Sequence, residues 1–249
     1  MKLPRLFLAA LVTCPAVAFA ADGHHAPHWG YTDHTGPSHW ASMDAAFAAC
    51  DAGKAQSPIN ITGAANGHMA DLAFAYGTID GTIVNNGHTI QVNVPQGQTL
   101  TVGDQTYNLL QFHFHAPSEN EINGKSFPLE MHLVHKRADG TLGVVGVMFE
   151  EGAANPEIET LWKHMPDKEG ATASVEHINL NSLLPADHGY YSFSGSLTTP
   201  PCSEGVNWHV MAHPLTLSAE QLAAFHHLYA MNARPVQPLN GRTIMHNAH

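Results

Sequence analysis

Four runs of this chain are made of residues that suit a pleated sheet, and turn residues bound or break each one. GTIVNNGHTIQVNV (residues 81–94), TLTVGDQTYNLLQFHFH (99–115), PLEMHLVHKR (128–137) and TLGVVGVMFEEG (141–152) are rich in Val, Ile, Thr and Phe, with Gly, Asn and Pro as punctuation. Helical signals are few. NPEIETLWKHM (155–165) reads as one helix with Pro156 near its start, and LSAEQLAAFHHLY (217–229) as another with Ser218 as N-cap. The pattern predicts a mainly β protein with peripheral helices.

The first twenty residues, MKLPRLFLAALVTCPAVAFA, place Lys2 and Arg5 ahead of an apolar run that ends in small residues at Ala18 and Ala20. This reads as a secretory signal peptide, residues 1–20, leaving a single domain over 21–249 that is exported to the periplasm or secreted. A membrane anchor is the competing reading, and Pro15 and the shortness of the run argue against it; no membrane insertion is expected after cleavage. Loss of Lys2 and Arg5 takes the formal charge from -11 to -13, which disfavours nucleic acid and anionic lipid as partners. Cys14 leaves with the signal. Cys50 and Cys202 remain as an even pair in an oxidising compartment, and they are expected to form a disulfide.

LLQFHFHAPSE (109–119) poses the chemical question. On a strand, Gln111, His113 and His115 share one face while Phe112 and Phe114 take the other. Two readings stand at this point: a wet strand face and a pair of metal ligands. With 20 His in 249 residues, chance alone supplies roughly 1.6 His-x-His pairs. PLEMHLVHKR adds weight to the second reading, because Glu130, His132 and Val134 share a face, as Gln111 and His113 do. A metal-bound imidazole needs an acceptor for its other N–H, and Gln111 and Glu130 stand two residues before a histidine on the same face. Three imidazoles from two strands suit tetrahedral zinc with a fourth position open, the arrangement of catalytic sites.

Seven motifs run in one order through the mature chain: HWGY (28–31), QSPINI (56–61), NNGH (85–88), QFHFHAPSENEINGK (111–125), EMHLVH (130–135), GSLTTPPCSEGVNW (195–208) and NARPVQPLN (232–240). Together they resemble the α class of carbonic anhydrases, in its bacterial, exported type. The resemblance implies a single domain built around a large central, mostly antiparallel twisted β-sheet with short peripheral helices. It implies one Zn²⁺ per chain held by His113, His115 and His132, with Gln111, Glu130 and the backbone carbonyl of Asn232 orienting those rings. Thr198 and Glu119 match the pair that controls the zinc-bound solvent, and His88 the proton shuttle. Val134, Val144, Leu197 and Trp208 match the apolar wall for carbon dioxide, with Thr199 beside it; Cys50 and Cys202 match the bridge of bacterial members. Ala116 stands in place of a bulkier aromatic, and Gln91 where Asn is frequent on the wet side of the cavity.

The implied activity is reversible hydration of carbon dioxide to bicarbonate and a proton, with zinc-bound hydroxide as nucleophile and esterase action on the side. Its partners are carbon dioxide, bicarbonate and water, and anions and sulfonamides are the expected inhibitors. Monomer and homodimer are both left open. Two other functions are weighed beside it. The His-rich start DGHHAPHW and the pair His226–His227 suit an exported zinc- or copper-binding protein, and the same fold suits a catalytically silent module that has lost zinc ligands.

Overall fold

The computed structural model describes residues 27–247. The expected signal peptide lies outside the described residues, as do His24 and His25 of the His-rich start. The strand runs collapse into one large sheet of 13 strands. Eight strands of it matter here: β1 (Thr78–Asn85), β2 (Ile90–Asn93), β3 (Gln105–His115), β4 (Leu129–Lys136), β5 (Leu142–Glu151), β6 (Thr172–Asn179), β7 (Tyr190–Ser196) and β8 (Glu204–Met211). Across the sheet they lie in the order β6, β1, β2, β3, β4, β5, β8, β7, and Met245–Asn247 and Ala65–Asn66 extend the β7 edge.

Most neighbours are antiparallel, as expected. The exceptions are β5 with β8, β5 with Leu215–Leu217, and Met245–Asn247 with Ala65–Asn66, which are parallel. The β5 to β8 connection has room for this, because helix α1 (Pro156–Trp162), β6 and β7 lie between them in sequence.

Side-chain alternation sets the two faces. Phe112, Phe114, Met131, Leu133, Val145 and Val147 are buried in the larger core on one side. Val144, Met148, Trp208 and Val210 belong to a second apolar cluster on the other, with Val134 and Leu197 packed against it. The imidazoles of His113, His115 and His132 share the parity of this second side.

Helices α1 and α2 (Ala219–Leu228) pack at the periphery. The Asn155 side chain accepts from the Glu157 and Ile158 amides at the α1 N-terminus, and Ser218 with Gln221 forms a capping box at α2. The expected first helix runs shorter than 155–165 and stops at Trp162, ahead of Pro166, which disfavours helical backbone at Met165 before it. Cys50 and Cys202 are joined by the expected disulfide, with Cα atoms 5.0 Å apart, beside a small core of Trp40 and Phe47.

Candidate metal centre

Strand register brings the three histidines together. His113 of β3 lies directly opposite His132 of β4, and His115 opposite Glu130. One ring nitrogen from each of His113, His115 and His132 lies within 4.8 Å of the other two, and among the described residues these three form the one such group of potential metal ligands.

Two of the remaining ring nitrogens are hydrogen-bonded, and the third faces a carboxylate. His113 Nδ1 is 2.8 Å from Gln111 Oε1, and His115 Nδ1 is 2.8 Å from the Asn232 carbonyl oxygen. His132 Nε2 lies 3.0 Å from Glu130 Oε1, within ion-pair reach. That leaves Nε2 of His113, Nε2 of His115 and Nδ1 of His132 facing inward. His115 Nε2 is buried with no hydrogen-bond partner. An orphaned nitrogen at the meeting point of three rings is what a cation-binding site leaves exposed to its ion, so the donor set fits zinc.

Glu130 is fully buried and held from several sides. Its Oε2 accepts from the Glu119 and Asn120 amides (2.8 and 2.9 Å), and its Oε1 accepts from Asn120 Nδ2 (2.8 Å). Burial alone would raise its pKa, but the attraction of His132 and the donors of Asn120 outweigh it, and the net direction is down. Gly146, opposite His132 on β5, makes room for this carboxylate: a Cβ there would sit 2.8 Å from Glu130 Oε1.

Glu119 is the second buried carboxylate. Its Oε1 accepts from the Arg234 amide at 2.8 Å, and its Oε2 lies 3.6 Å from His115 Nε2 and 3.9 Å from His132 Nδ1. Burial pushes its pKa up to about 7, opposed by His132, the Arg234 amide and the Thr198 hydroxyl. Burial likewise lowers the pKa of His113, with the other two rings adding to it, and that of His115. Neutral rings are the form in which imidazole ligates.

The inward side of the rings opens into a cavity of about 130 Å³ lined by Trp29, Tyr31, His88, Gln111, His113, His115 and Thr199, among others. A larger open groove of about 590 Å³, at Asp71, Leu72 and 186–188, contains none of the expected site residues, so size is a poor guide to this chemistry. The four residues expected to form an apolar wall lie in one cluster: Val144 and Trp208 are buried, Val134 and Leu197 pack against that cluster, and the Trp208 ring meets His132 edge-on at 4.9 Å. His88 sits at the cavity, its ring stacked on Trp29 at 3.6 Å. Partial burial and the nearby His28 lower its pKa, while Glu169 opposes them.

Several residues here escaped sequence reasoning. Asn120, Tyr31, Gly146 and Arg234 all touch the site, and only their membership of the quoted motifs or runs hinted at it. The Tyr31 hydroxyl is buried without a partner, and burial, with the Glu119 charge, raises its pKa.

The family model for eukaryotic-type carbonic anhydrase matches residues 35–248. A carbonic anhydrase of Pectobacterium carotovorum is 50% identical over 233 residues, covering 93% of this chain and 96% of the relative. Among solved structures, an α-carbonic anhydrase from Thermovibrio ammonificans, in complex with the inhibitor sulfanilamide, superposes with a TM-score of 0.86 at 44% identity, covering 88% of this chain and 98% of that one. One from Photobacterium profundum gives a TM-score of 0.84 at 46% identity, covering 88% and 100%.

Proposed function

The chain belongs to the eukaryotic-type (α) carbonic anhydrase family, enzymes that hydrate carbon dioxide, and from that premise we propose that it is an exported enzyme that does so at one zinc held by His113, His115 and His132. The observation that carries the reading is the buried, partnerless Nε2 of His115 among three rings whose opposite nitrogens are already engaged. Zinc, when bound, lowers the pKa of a coordinated water to about 7 and so supplies a nucleophile at neutral pH.

The chain's own residues do the rest. Glu119 accepts the Thr198 hydroxyl hydrogen, so the Thr198 oxygen can only accept a hydrogen bond from the attacking solvent, which turns a lone pair of that solvent toward substrate. A cation among the rings would draw the Glu119 pKa back down and keep it in that accepting form. Carbon dioxide, small and apolar, rests against Val134, Val144, Leu197 and Trp208, with Thr199 on the cavity side. His88 passes the product proton to solvent. Gln111, Glu130 and Asn232 keep the three rings in place. A sulfonamide, such as the sulfanilamide bound by the Thermovibrio ammonificans relative, would donate its N–H to Thr198 in the same way; simple anions would compete for the same place.

Residues 1–20 act as the cleaved signal, and Cys50–Cys202 suits the oxidising compartment it leads to. A protein that gathers several ions is less well supported, since the described residues hold one three-ligand group. Stopped-flow hydration of carbon dioxide and zinc content, measured on one sample, test the reading. One zinc per chain with fast turnover is expected; full zinc without turnover would overturn it.

A further inference from the structure

The stretch Asn232–Arg234 touches the centre twice. The Asn232 carbonyl accepts from His115 Nδ1 at 2.8 Å, and two residues later the Arg234 amide donates to Glu119 Oε1, also at 2.8 Å. Yet residues 231–239 form no helix or strand, so no ladder of main-chain bonds holds these two groups where they are needed. One main-chain bond, from the Asn232 amide to the Ala116 carbonyl (3.1 Å), ties the first group down, and side chains do the rest.

At one end the Asn232 side chain accepts from the Ala116 amide (2.8 Å) and donates to the carbonyls of His88 (3.0 Å) and Phe114 (2.9 Å). At the other end the Arg234 guanidinium, 2% exposed, reaches the opposite way. Its Nη1 donates to Gln56 Oε1 (2.9 Å) and the Ser57 carbonyl (2.7 Å), and its Nη2 to the Cys50 carbonyl (2.7 Å). Its carbon lies 5.7 Å from the Trp40 ring centroid. All three acceptors are neutral. Burying a cation to satisfy neutral acceptors costs more than an apolar side chain of the same length would. The nearest compensation is at the other end of the same residue, where the buried Glu119 carboxylate is bonded to the Arg234 amide.

We infer that Arg234 is a positioning residue of the reaction: clamped on Cys50, Gln56 and Ser57, it fixes the amide that sets the Glu119 carboxylate, and through it the direction of the Thr198 hydroxyl. The inference rests on the carbonic anhydrase reading above. It differs from a purely structural role in one respect. A loosened Glu119 should harm ligands that need Thr198 as an acceptor and spare those that only need the metal.

The test uses zinc-loaded wild type, Arg234→Met and Arg234→Lys, with Kd measured for benzenesulfonamide, which carries an N–H for Thr198, and for thiocyanate, which carries none. In Arg234→Met, benzenesulfonamide should weaken about tenfold or more, the loss of one hydrogen bond, while thiocyanate stays within about threefold and kcat/KM falls with the sulfonamide affinity. Arg234→Lys, which keeps the charge but not the fork, should fall between. If Arg234→Met does not fold, Gln56→Ala removes one of the clamp's acceptors and should shift the same ratio in the same direction. Equal weakening of both ligands, or of neither, would overturn the inference while leaving the carbonic anhydrase reading intact. A wild type that binds neither zinc nor benzenesulfonamide would overturn both.

Discussion

At the scale of single residues, the proposed centre separates groups that would hold the metal from groups that would hold those groups. His132→Ala should lose most of the zinc affinity and the activity with it, since two imidazoles leave the shell open to solvent. Glu130→Ala should be milder, about 10- to 100-fold in zinc affinity. Chelator competition on both variants checks the ranking, and a worse result for Glu130→Ala would reverse the assignment. His88 makes a different demand. Its ring lies flat against Trp29 rather than among the three grouped rings, so its removal should leave zinc content and kcat/KM unchanged while kcat falls in dilute buffer. Added imidazole should restore much of that kcat, because a diffusible base of similar pKa replaces the missing ring. Full kcat without His88 would hand the shuttle to another group.

At the scale of elements, the decisive fact is a pairing: β4 between β3 and β5, with His113, His132 and Gly146 in one row. A Cβ at Gly146 would press within 2.8 Å of Glu130 Oε1, and that carboxylate cannot swing aside because Glu119 and Asn120 hold it from their amides. Gly146→Ala should therefore cost about 1–3 kcal/mol of stability and weaken zinc as Glu130→Ala does. Gly143→Ala is the control. It faces the other side of the sheet, where the added Cβ would meet the Tyr107 ring at 3.0 Å, so it should cost stability and leave zinc affinity alone. Equal zinc loss in the two variants would mean that β5 acts only through general loosening. The same strands mark what the sequence made legible. Alternation alone placed Gln111, His113 and His115 on one face and Phe112 and Phe114 on the other, because a period of two is a local property of a strand. Alternation in PLEMHLVHKR likewise offered His132 as a third ligand, but that His132 lies directly opposite His113 is a matter of register, which no local rule gives. The vacancy at Gly146 and the clamp of Arg234 on Cys50, Gln56 and Ser57 stayed hidden, since they join residues far apart in the chain and show no periodicity. The end of α1 was misjudged for a related reason: Lys163, His164 and Met165 are acceptable helix formers, and only the Pro166 after them spoke against continuing.

At the scale of the whole molecule, the sheet buries histidines on both faces, and among the described residues only one set is grouped so that a metal could stabilise it. His135 of β4 and His209 of β8 flank β5 on the face opposite the centre, and both are buried. His135 contacts the Tyr76 hydroxyl through Nε2, while neither ring nitrogen of His209 has a hydrogen-bond partner. Burial lowers their pKa values to about 3 and about 4 respectively. In the unfolded chain both titrate at about 6.5. Below that pH the unfolded state takes up protons that the folded state refuses, so stability falls as pH drops from about 6.5 toward 4 and 3. At pH 5 each group should cost about 2 kcal/mol relative to neutral pH, at 1.36 kcal/mol per pH unit. Protonation of the zinc ligands acts in the same direction, so the acid limb of wild type alone proves nothing. His209→Leu isolates the back face, because it leaves the centre and the other histidines in place. Its unfolding free energy, by urea titration at pH 7.5 and at pH 5, should gain about 2 kcal/mol on wild type between the two conditions, whatever the substitution costs in packing. Parallel pH dependence in the two proteins would show that His209 takes up its proton in the folded state as it does in the unfolded chain, leaving the acid sensitivity to His135 and the centre.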